Sequence, residues 1–438
     1  MQTDRRNFLA SAGAALTTAM FTGNVKGANS RISLGFIGLG MQGTSNLGNA
    51  LLAPQAQVVA LCDCYQPALE KAAAAVRAKY SSDARSVRDF RELLADRSID
   101  AVCISSPDHW HAYMTVEACK AGKDVYVEKP ACTRLDEGPL MVAAARKYRR
   151  IVQGGNMQRT MPTFLKAKEY VDRGLLGEIT WCKTWSTGLS AKAGKGNPPD
   201  GPIPAGLDWD MWLGPAPKVP FNQNRWGVDG RNYPTFRYFW DYAGGETTDW
   251  GVHYIDPIHQ FMGEPLVQSV AAQGGRFWIQ DNLQTADTMS ASFQYPKFTM
   301  DYELRQSCPV PLLGQGGASA VLGTDAYVVV TRGGCWLAPS TPSSKVEPVE
   351  YHPPAAPRGT PPAPSDHWKN FLDCVQTRAT PAAEIERLVR SSASCLLANV
   401  SMRAKTRVDL DEKTFTVRQP EAAPFTRVDY RAPWKLEV

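Results

Sequence analysis

The chain has 438 residues, with 43% apolar and 21% charged side chains and a net charge of +5. At about 100–200 residues per domain this length suits two or three domains. The composition excludes wholesale disorder, a coiled coil, a collagen-like chain and a multi-span membrane protein, and no basic block points to nucleic acid.

The chain begins Met1-Gln2-Thr3-Asp4-Arg5-Arg6-Asn7-Phe8-Leu9-Ala10. A mildly apolar run follows to Phe21, too short for a spanning helix of about 20 residues. Small residues near Gly27-Ala28 complete the outline of an export signal. Arg5-Arg6 before Phe8-Leu9 resembles a twin-arginine signal, although Asp4 and Ala10 depart from that pattern. Residues 1–30 are expected to be this address, which places the protein in the periplasm or otherwise outside the cytoplasm. The bland alternative is an unstructured terminus with a chance Arg pair. Retention of the signal would leave a membrane anchor; otherwise no stable insertion is expected. The ten cysteines are scattered from Cys62 to Cys395 without a CxxC pair. They read as reduced packing residues, as in a chain folded before export.

From residue 31 to 155 the pattern is that of a parallel, doubly wound sheet. Ile32–Ile37 is a buried-strand run, and Gly38-Leu39-Gly40-Met41-Gln42-Gly43 leads into a helix reaching about Leu52. Gly38 permits the tight turn, Gly40 the approach of a pyrophosphate, and Gly43 close packing of helix on strand. The helix start, at Met41 and Gln42, offers N–H groups and a positive dipole end to phosphate. The next strand ends in Asp63, 20 residues beyond Gly43. An acid there meets ribose hydroxyls and repels a 2′-phosphate, so NAD is expected and NADP disfavoured. Alone, Asp63 would read as a helix cap. Further strands at Ala101–Ser105, Asp124–Val127 and Ile151–Gly154 put Ser105, Pro107, His111, Glu128 and Lys129 at strand carboxyl ends, where such sheets bind ligands.

Asn156, Gln158 and Arg159 follow the last of these strands and are expected to face the cleft with substrate. Arg225, Trp226, Arg231, Tyr233, Arg237, Tyr238 and Trp240 form an aromatic and basic stretch suited to a sugar ring. Of these, Arg237 and Trp240 are taken as substrate contacts, although most Trp are packing residues. Asp249, His253 and Asp256 are spaced i, i+4, i+7. On one helix face they would flank an imidazole with carboxylates, raising its pKa and fixing its tautomer. The bland reading is an acidic helix start with a packed histidine. No metal site is expected. Lys129, before Pro130, would offer its ammonium to a substrate hydroxyl.

Strand candidates at Ile179–Trp185, Val267–Gln273, Thr288–Phe293, Phe298–Glu303 and Ala326–Thr331 give residues 156–410 an α+β character with an open, mostly antiparallel sheet. Residues 339–364 contain nine Pro and are expected to form an extended arm without helix or strand. The arm would either wrap a partner subunit or lie as a surface loop. Asp366–Thr377 and Ala383–Lys405 look helical, and 411–438 is a Pro-interrupted tail.

These segments together resemble the Gfo/Idh/MocA oxidoreductases. The resemblance rests on G-x-G-x-x-G with Asp63, on Pro107 with His111, on Glu128-Lys129-Pro130, and on Gly244 to Asp256. Gly174–Ile179 also resembles the entry to that family's second domain. The resemblance runs from about 31 to 405. It implies a Rossmann domain with a second open-sheet domain, a homodimer or homotetramer, and often a cis Lys129–Pro130 bond. It further implies Lys129 polarising a hydroxyl, His253 taking its proton, Asp249 positioning both, and hydride passing to nicotinamide. The leading expectation is an NAD-dependent oxidoreductase acting on a carbohydrate or cyclitol hydroxyl. Outside the cytoplasm the cofactor would stay bound and be recycled within each turnover. A redox-neutral NAD-dependent glycosidase is the alternative, working by oxidation, elimination, hydration and reduction. A non-catalytic sugar-binding protein on the same frame is the third reading.

Overall fold

Parallel strands buried on both faces need helical crossovers, and the front of the chain supplies them. The structure is a computed structural model that describes residues 31–228, 233–355, 360, 362–427 and 429–438. The export signal expected at 1–30 and Arg231 lie outside the described residues. The front sheet has six parallel strands: β1 (Ile32–Ile37), β2 (Ala56–Cys62), β3 (Arg85–Val87), β4 (Ala101–Ile104), β5 (Asp124–Val127) and β6 (Val152–Gly154). Their order is β3-β2-β1-β4-β5-β6, so the strand order reverses beside β1. In a doubly wound sheet the ligand crevice opens at that reversal.

The back sheet has ten strands, in the order β14-β13-β12-β11-β7-β10-β9-β8-β15-β16. They are β7 (Ile179–Thr187), β8 (Ser269–Gly275), β9 (Thr288–Gln294), β10 (Thr299–Arg305), β11 (Gly317–Gly323), β12 (Ala326–Val330), β13 (Cys335–Pro339), β14 (Val349–Tyr351), β15 (Val408–Asp411) and β16 (Thr416–Val417). β7 and β10 run parallel; β10–β9, β9–β8 and β11–β12 are antiparallel. Burial alternates along β9 and β10. One face therefore packs inward, where the helices Gly251–Phe261 and Ile385–Ala404 share its core, and the other faces solvent.

Residues 339–364 depart from the expected arm without regular structure. Val349–Tyr351 pairs with Cys335–Leu337 as the sheet's edge strand. Pro348 and Pro353 stand just outside it, where a missing N–H costs no ladder bond. Two later segments return to the front domain. Trp368, on the helix Asp366–Thr377, stacks on Tyr126 at 4.8 Å and on Phe36 at 6.0 Å, filling one face of the front sheet. In the tail, Trp434 lies edge-on to Trp110 at 4.9 Å and to Tyr113 at 5.3 Å.

Candidate active site

A cleft of about 1450 Å³, its open mouth included, runs along the carboxyl ends of β1, β2, β4 and β5 to the back domain. At its nucleotide end Gly38 has φ +84°, and an added Cβ there would lie 2.6 Å from the Ser105 carbonyl carbon. A Cβ on Gly43 would lie 2.0 Å from the Gly38 oxygen. One on Gly40 would meet nothing within 4 Å, so that backbone faces open space. Asp63 accepts from the Leu39 N–H at 2.7 Å and the Tyr65 N–H at 2.8 Å. Burial raises its pKa, against the pull of those N–H groups and of Arg88. Arg88 itself donates to the Cys64 and Gly206 carbonyls at 2.9 and 3.0 Å. It is thus held by main chain beside Asp63. An open glycine turn at a helix start, followed by a carboxylate at the second strand's end, fits a dinucleotide with free ribose hydroxyls.

A back-domain segment closes over this groove. Tyr65 bridges Leu207 through main chain, the Asp208 N–H donates to the Cys64 carbonyl at 3.0 Å, and Trp226 stands edge-on to Tyr65 at 5.1 Å. Met211, Trp212, Trp226 and Val228 form part of the cleft wall. Trp212, Trp226 and Val228 belong to an aromatic cluster that includes Trp209, Phe221 and Tyr242.

Glu128 is a tether between strand and helix. It accepts from Gln42 at 3.0 Å and Asn46 at 2.9 Å, and Asn46 also reaches Ser105 at 3.0 Å. His111 is buried, with Nδ1 2.7 Å from the Pro130 carbonyl and Nε2 2.9 Å from that of Ser106. It braces the loop carrying the Lys129–Pro130 peptide, which is cis. Ser105, Pro107, Glu128 and His111 all border the cleft.

The chemistry-bearing end is organised around Asp249, which is 2% exposed. Lys129 Nζ donates to Asp249 Oδ1 at 2.5 Å and to its carbonyl at 3.0 Å. Arg237 Nε donates to Oδ1 at 3.2 Å, and the Tyr233 hydroxyl donates to Oδ2 at 2.5 Å. Burial alone would raise the Asp249 pKa, but Lys129 and Arg237 hold it far below the ordinary carboxylate range. Two ammonium hydrogens of Lys129 are engaged, leaving the third for a ligand. His253 lies on the cleft wall with its ring 5.8 Å from that of Trp250.

The helical spacing of Asp249, His253 and Asp256 does not bring the three together. Asp249 ends one short helix, Glu246–Asp249, and His253 belongs to the next, Gly251–Phe261, with Trp250 between them. Asp256 turns to Arg159, with bonds of 2.8 and 2.7 Å. The expected rise in the His253 pKa is reversed. Burial lowers it, with Lys129 and Arg332 adding to the effect, and Asp249 offsets only part. The ring therefore stays neutral and able to accept a proton.

Three expected substrate contacts lie elsewhere. Arg159 is 1% exposed and spends its guanidinium on Asp256 and Glu264. Asn156 is buried, with its amide 3.5 Å from Ser391. Trp240 carries the Arg403 guanidinium 4.5 Å above its ring, at a separate small void. Gln158 is buried and, among the described residues, reaches the site through Arg332, at 3.4 Å. Arg225 pairs with Asp241 at 2.7 Å, and Tyr238 donates to Glu246 at 3.2 Å. Arg237, Tyr233 and Trp226 do border the cleft.

Two cleft residues carried no role in the sequence reading. Asp108 is 4% exposed, and its Oδ2 has no hydrogen-bond partner among the described residues. Burial pushes its pKa up to about 7, with Arg237 and Lys129 opposing and Asp249 assisting. Arg332 sits in the turn between β12 and β13, where Thr331-Arg332-Gly333-Gly334 reads only as a reverse turn.

A nucleotide groove on a parallel sheet, ending at a Lys–Asp pair beside His253, defines a two-domain dinucleotide-binding protein. The chain belongs to the Gfo/Idh/MocA family: residues 32–156 match its NAD-binding Rossmann fold and 163–436 its C-terminal alpha/beta domain. It is 34% identical over 147 residues to the uncharacterized oxidoreductase YrbE of Bacillus subtilis (strain 168), covering 34% of this chain and 42% of that one. Identity to the inositol 2-dehydrogenase of Salmonella typhimurium (strain LT2) is 31% over 149 residues, covering 34% of this chain and 43% of the relative. Identity to a glycosyl hydrolase family 109 protein of Saccharopolyspora erythraea is 29% over 194 residues, covering 37% and 41%. The chain thus spans less than half the length of these curated relatives. The fold is similar to that of the WlbA dehydrogenase from Bordetella pertussis, solved with NADH and UDP-GlcNAcA, at TM-score 0.63 and 19% identity over 87% of this chain and 99% of that one. It is also similar to levoglucosan dehydrogenase solved with NADH, at TM-score 0.66 and 15% identity over 86% and 99%.

Proposed function

We propose that this protein is an NAD-dependent oxidoreductase acting on a carbohydrate or cyclitol hydroxyl. The observation that carries the reading is the Lys129–Asp249 pair beside a neutral His253, at the end of the nucleotide groove. NAD would be held by the turn from Gly38 to Gly43 and by Asp63, and when bound it supplies the acceptor and donor of hydride. Lys129 binds the substrate hydroxyl with its remaining ammonium hydrogen and stabilises negative charge developing on that oxygen. His253 takes the hydroxyl proton; its depressed pKa keeps it unprotonated at neutral pH. Asp249 fixes Lys129 through two contacts and stays ionised throughout.

The cofactor is proposed to remain bound between turnovers. Support comes from the segment Leu207–Val228, which closes the groove next to Asp63 by main-chain and aromatic contacts. The test is to quantify dinucleotide released by denaturing the purified protein, then to add a panel of sugars. A stoichiometric nucleotide and sugar-dependent nicotinamide absorbance, without steady NADH release, support the reading. Free exchange of the cofactor, or no absorbance change with any sugar, refutes it.

One observation favours the redox-neutral glycosidase as the second reading. Elimination of an aglycone needs an acid, and Asp108 is a buried carboxyl whose pKa of about 7 leaves it partly protonated at neutral pH. The similarity to a glycosyl hydrolase family 109 protein points the same way. We also propose export by the twin-arginine route. Arg5-Arg6 and the ten free cysteines support this, and substituting both arginines by Lys should block export. Assembly as a homodimer or homotetramer is proposed from the open face of the back sheet; light scattering tests it.

A further inference from the structure

The substrate end of the cleft carries more positive than negative charge. Lys129, Arg237 and Arg332 border it; Asp249 is ion-paired with Lys129 and Arg237, while Glu128, also on the cleft wall, is turned to Gln42 and Asn46 at the nucleotide end. Arg332 has no carboxylate within ion-pair distance among the described residues; its one described hydrogen bond is to Gln158 at 3.4 Å, and its guanidinium sits 5.2 Å above the Trp250 ring. The indole holds the guanidinium plane by its face and leaves the in-plane N–H donors free. Arg332 and His253 both border the cleft, so the guanidinium and the reacting group share one space. Asp108 and Glu246, each pushed up to about 7 by burial, add only part of a charge apiece near neutral pH. A bound oxidised nicotinamide would add one more positive charge.

Resting on the oxidoreductase reading, we infer that the substrate is an anionic sugar, a uronate or other sugar acid, whose carboxylate is taken by Arg332. A planar guanidinium with free paired donors matches a carboxylate edge in geometry as well as charge. A ring held between Lys129 at its reacting hydroxyl and Arg332 at its carboxylate has one orientation, which a neutral hydroxymethyl group would not enforce. The surplus of positive charge along the cleft also draws anions inward and repels cationic sugars such as amino sugars.

The test uses the full-length protein with its bound NAD and matched pairs, glucuronate against glucose and galacturonate against galactose. Equilibrium binding is read by calorimetry and hydride transfer by nicotinamide absorbance. The acid of at least one pair should bind about 10- to 100-fold more tightly than its neutral partner, the range for a charge-assisted hydrogen-bonded contact. In R332Q that ratio should fall towards one, and R332K should restore part of it. Equal or tighter binding of both neutral sugars, or an unchanged ratio in R332Q, overturns the inference. So does absence of uronate binding, even if a neutral sugar reduces the nicotinamide; that result leaves the oxidoreductase reading standing. Arg332-dependent uronate binding with no nicotinamide change does the reverse: it supports the anion site and refutes the oxidoreductase reading.

Discussion

Lys129→Met tests the centre of the proposed chemistry, because its consequences for catalysis and for folding separate. Methionine keeps the length and apolar body of the side chain and removes the ammonium. Lys129 places two of its three hydrogens on Asp249, at 2.5 Å and 3.0 Å, so the third has a fixed direction. Removing a fixed donor to developing negative charge costs about 10²–10³ in kcat, or roughly 2.7–4 kcal/mol of barrier. The stability cost is smaller than that of emptying a buried ion pair, about 3–5 kcal/mol, since Asp249 keeps Arg237 at 3.2 Å and Tyr233 at 2.5 Å. The assay is single-turnover nicotinamide absorbance with saturating sugar, normalised to cofactor released on denaturation. The expected result is full cofactor occupancy, a modest fall in melting temperature and a rate down by about two orders of magnitude or more. A rate within about threefold of the parent, with cofactor retained, would refute the role of Lys129.

Four further outcomes follow from the same geometry. Asp108→Asn should slow aglycone release by about 10²-fold or more while leaving nicotinamide reduction within a few-fold, if a glycoside is the substrate; unchanged release removes Asp108 as the acid. Trp226→Ala opens the lid beside Tyr65, and gel filtration should then strip NAD that the parent retains; retention by the variant places the hold elsewhere. Arg159→Met leaves Asp256 and Glu264 without their buried cation and should destabilise the fold by about 3–5 kcal/mol in urea titration, whereas a loss under ~1 kcal/mol contradicts the network. Acidification should weaken the fold. His109 and His259 titrate at about 3 and His367 at about 4, against about 6.5 unfolded, so below that value the unfolded chain binds more protons. Each contributes a loss of up to about 1.4 kcal/mol per pH unit down to its folded pKa. Asp108 and Glu246, both raised to about 7, Asp136, raised to about 6, and Asp63, raised by burial, work oppositely and offset part of it. His111 and His253, also lowered by burial, add to the loss. A urea midpoint at pH 5 equal to or above that at pH 7 would contradict this balance.

The nucleotide groove is legible in the sequence because its chemistry is local. Gly38, Gly40 and Gly43 meet their steric demands within one strand–turn–helix unit, and Asp63 ends the neighbouring strand. Lys129 is legible for the same reason, as the residue just beyond a short apolar run. Asp249 and His253 are legible as residues but not as geometry. A helical wheel assumes one uninterrupted helix, and the chain breaks at Trp250, so Asp249 lies outside the helix that carries His253 and Asp256. Arg159 follows a front-domain strand and reads as a cleft residue, yet its partners Asp256 and Glu264 are about a hundred positions away. Periodicity carries nothing about such pairs. β11 was not evident either, because Gly317-Ala318-Ser319-Ala320 lacks the bulky alternation of a strand. β14 was hidden by flanking prolines that in fact only delimit it. Trp368 reads as an ordinary apolar helix residue; that it caps the front sheet depends on a chain reversal no local pattern records.

Asp249 explains why the site needs both domains. Lys129 hangs from the end of β5 in the front sheet, while Asp249, Tyr233 and Arg237 come from the back domain. An ammonium at the mouth of the groove would by itself be a mobile, solvated charge, poorly placed to stabilise an alkoxide. The carboxylate turns it into a donor of fixed direction, and burial of that carboxylate makes the arrangement costly to break. Two cations and a phenol hydroxyl keep the carboxylate ionised despite its burial, so Asp249 itself neither supplies nor removes a proton at neutral pH. In the proposed chemistry proton transfer is left to His253, which burial, reinforced by Lys129 and Arg332, holds neutral. One buried charge thus divides the labour of the site: it orders the donor, stays out of the proton balance and couples the chemistry to the packing of the two domains. Asp249→Asn should accordingly lose more than Lys129→Met, since it frees Lys129 and leaves Arg237 unpaired at once. If the two variants match in both rate and stability, Lys129 alone would account for the site and the coupling would be absent.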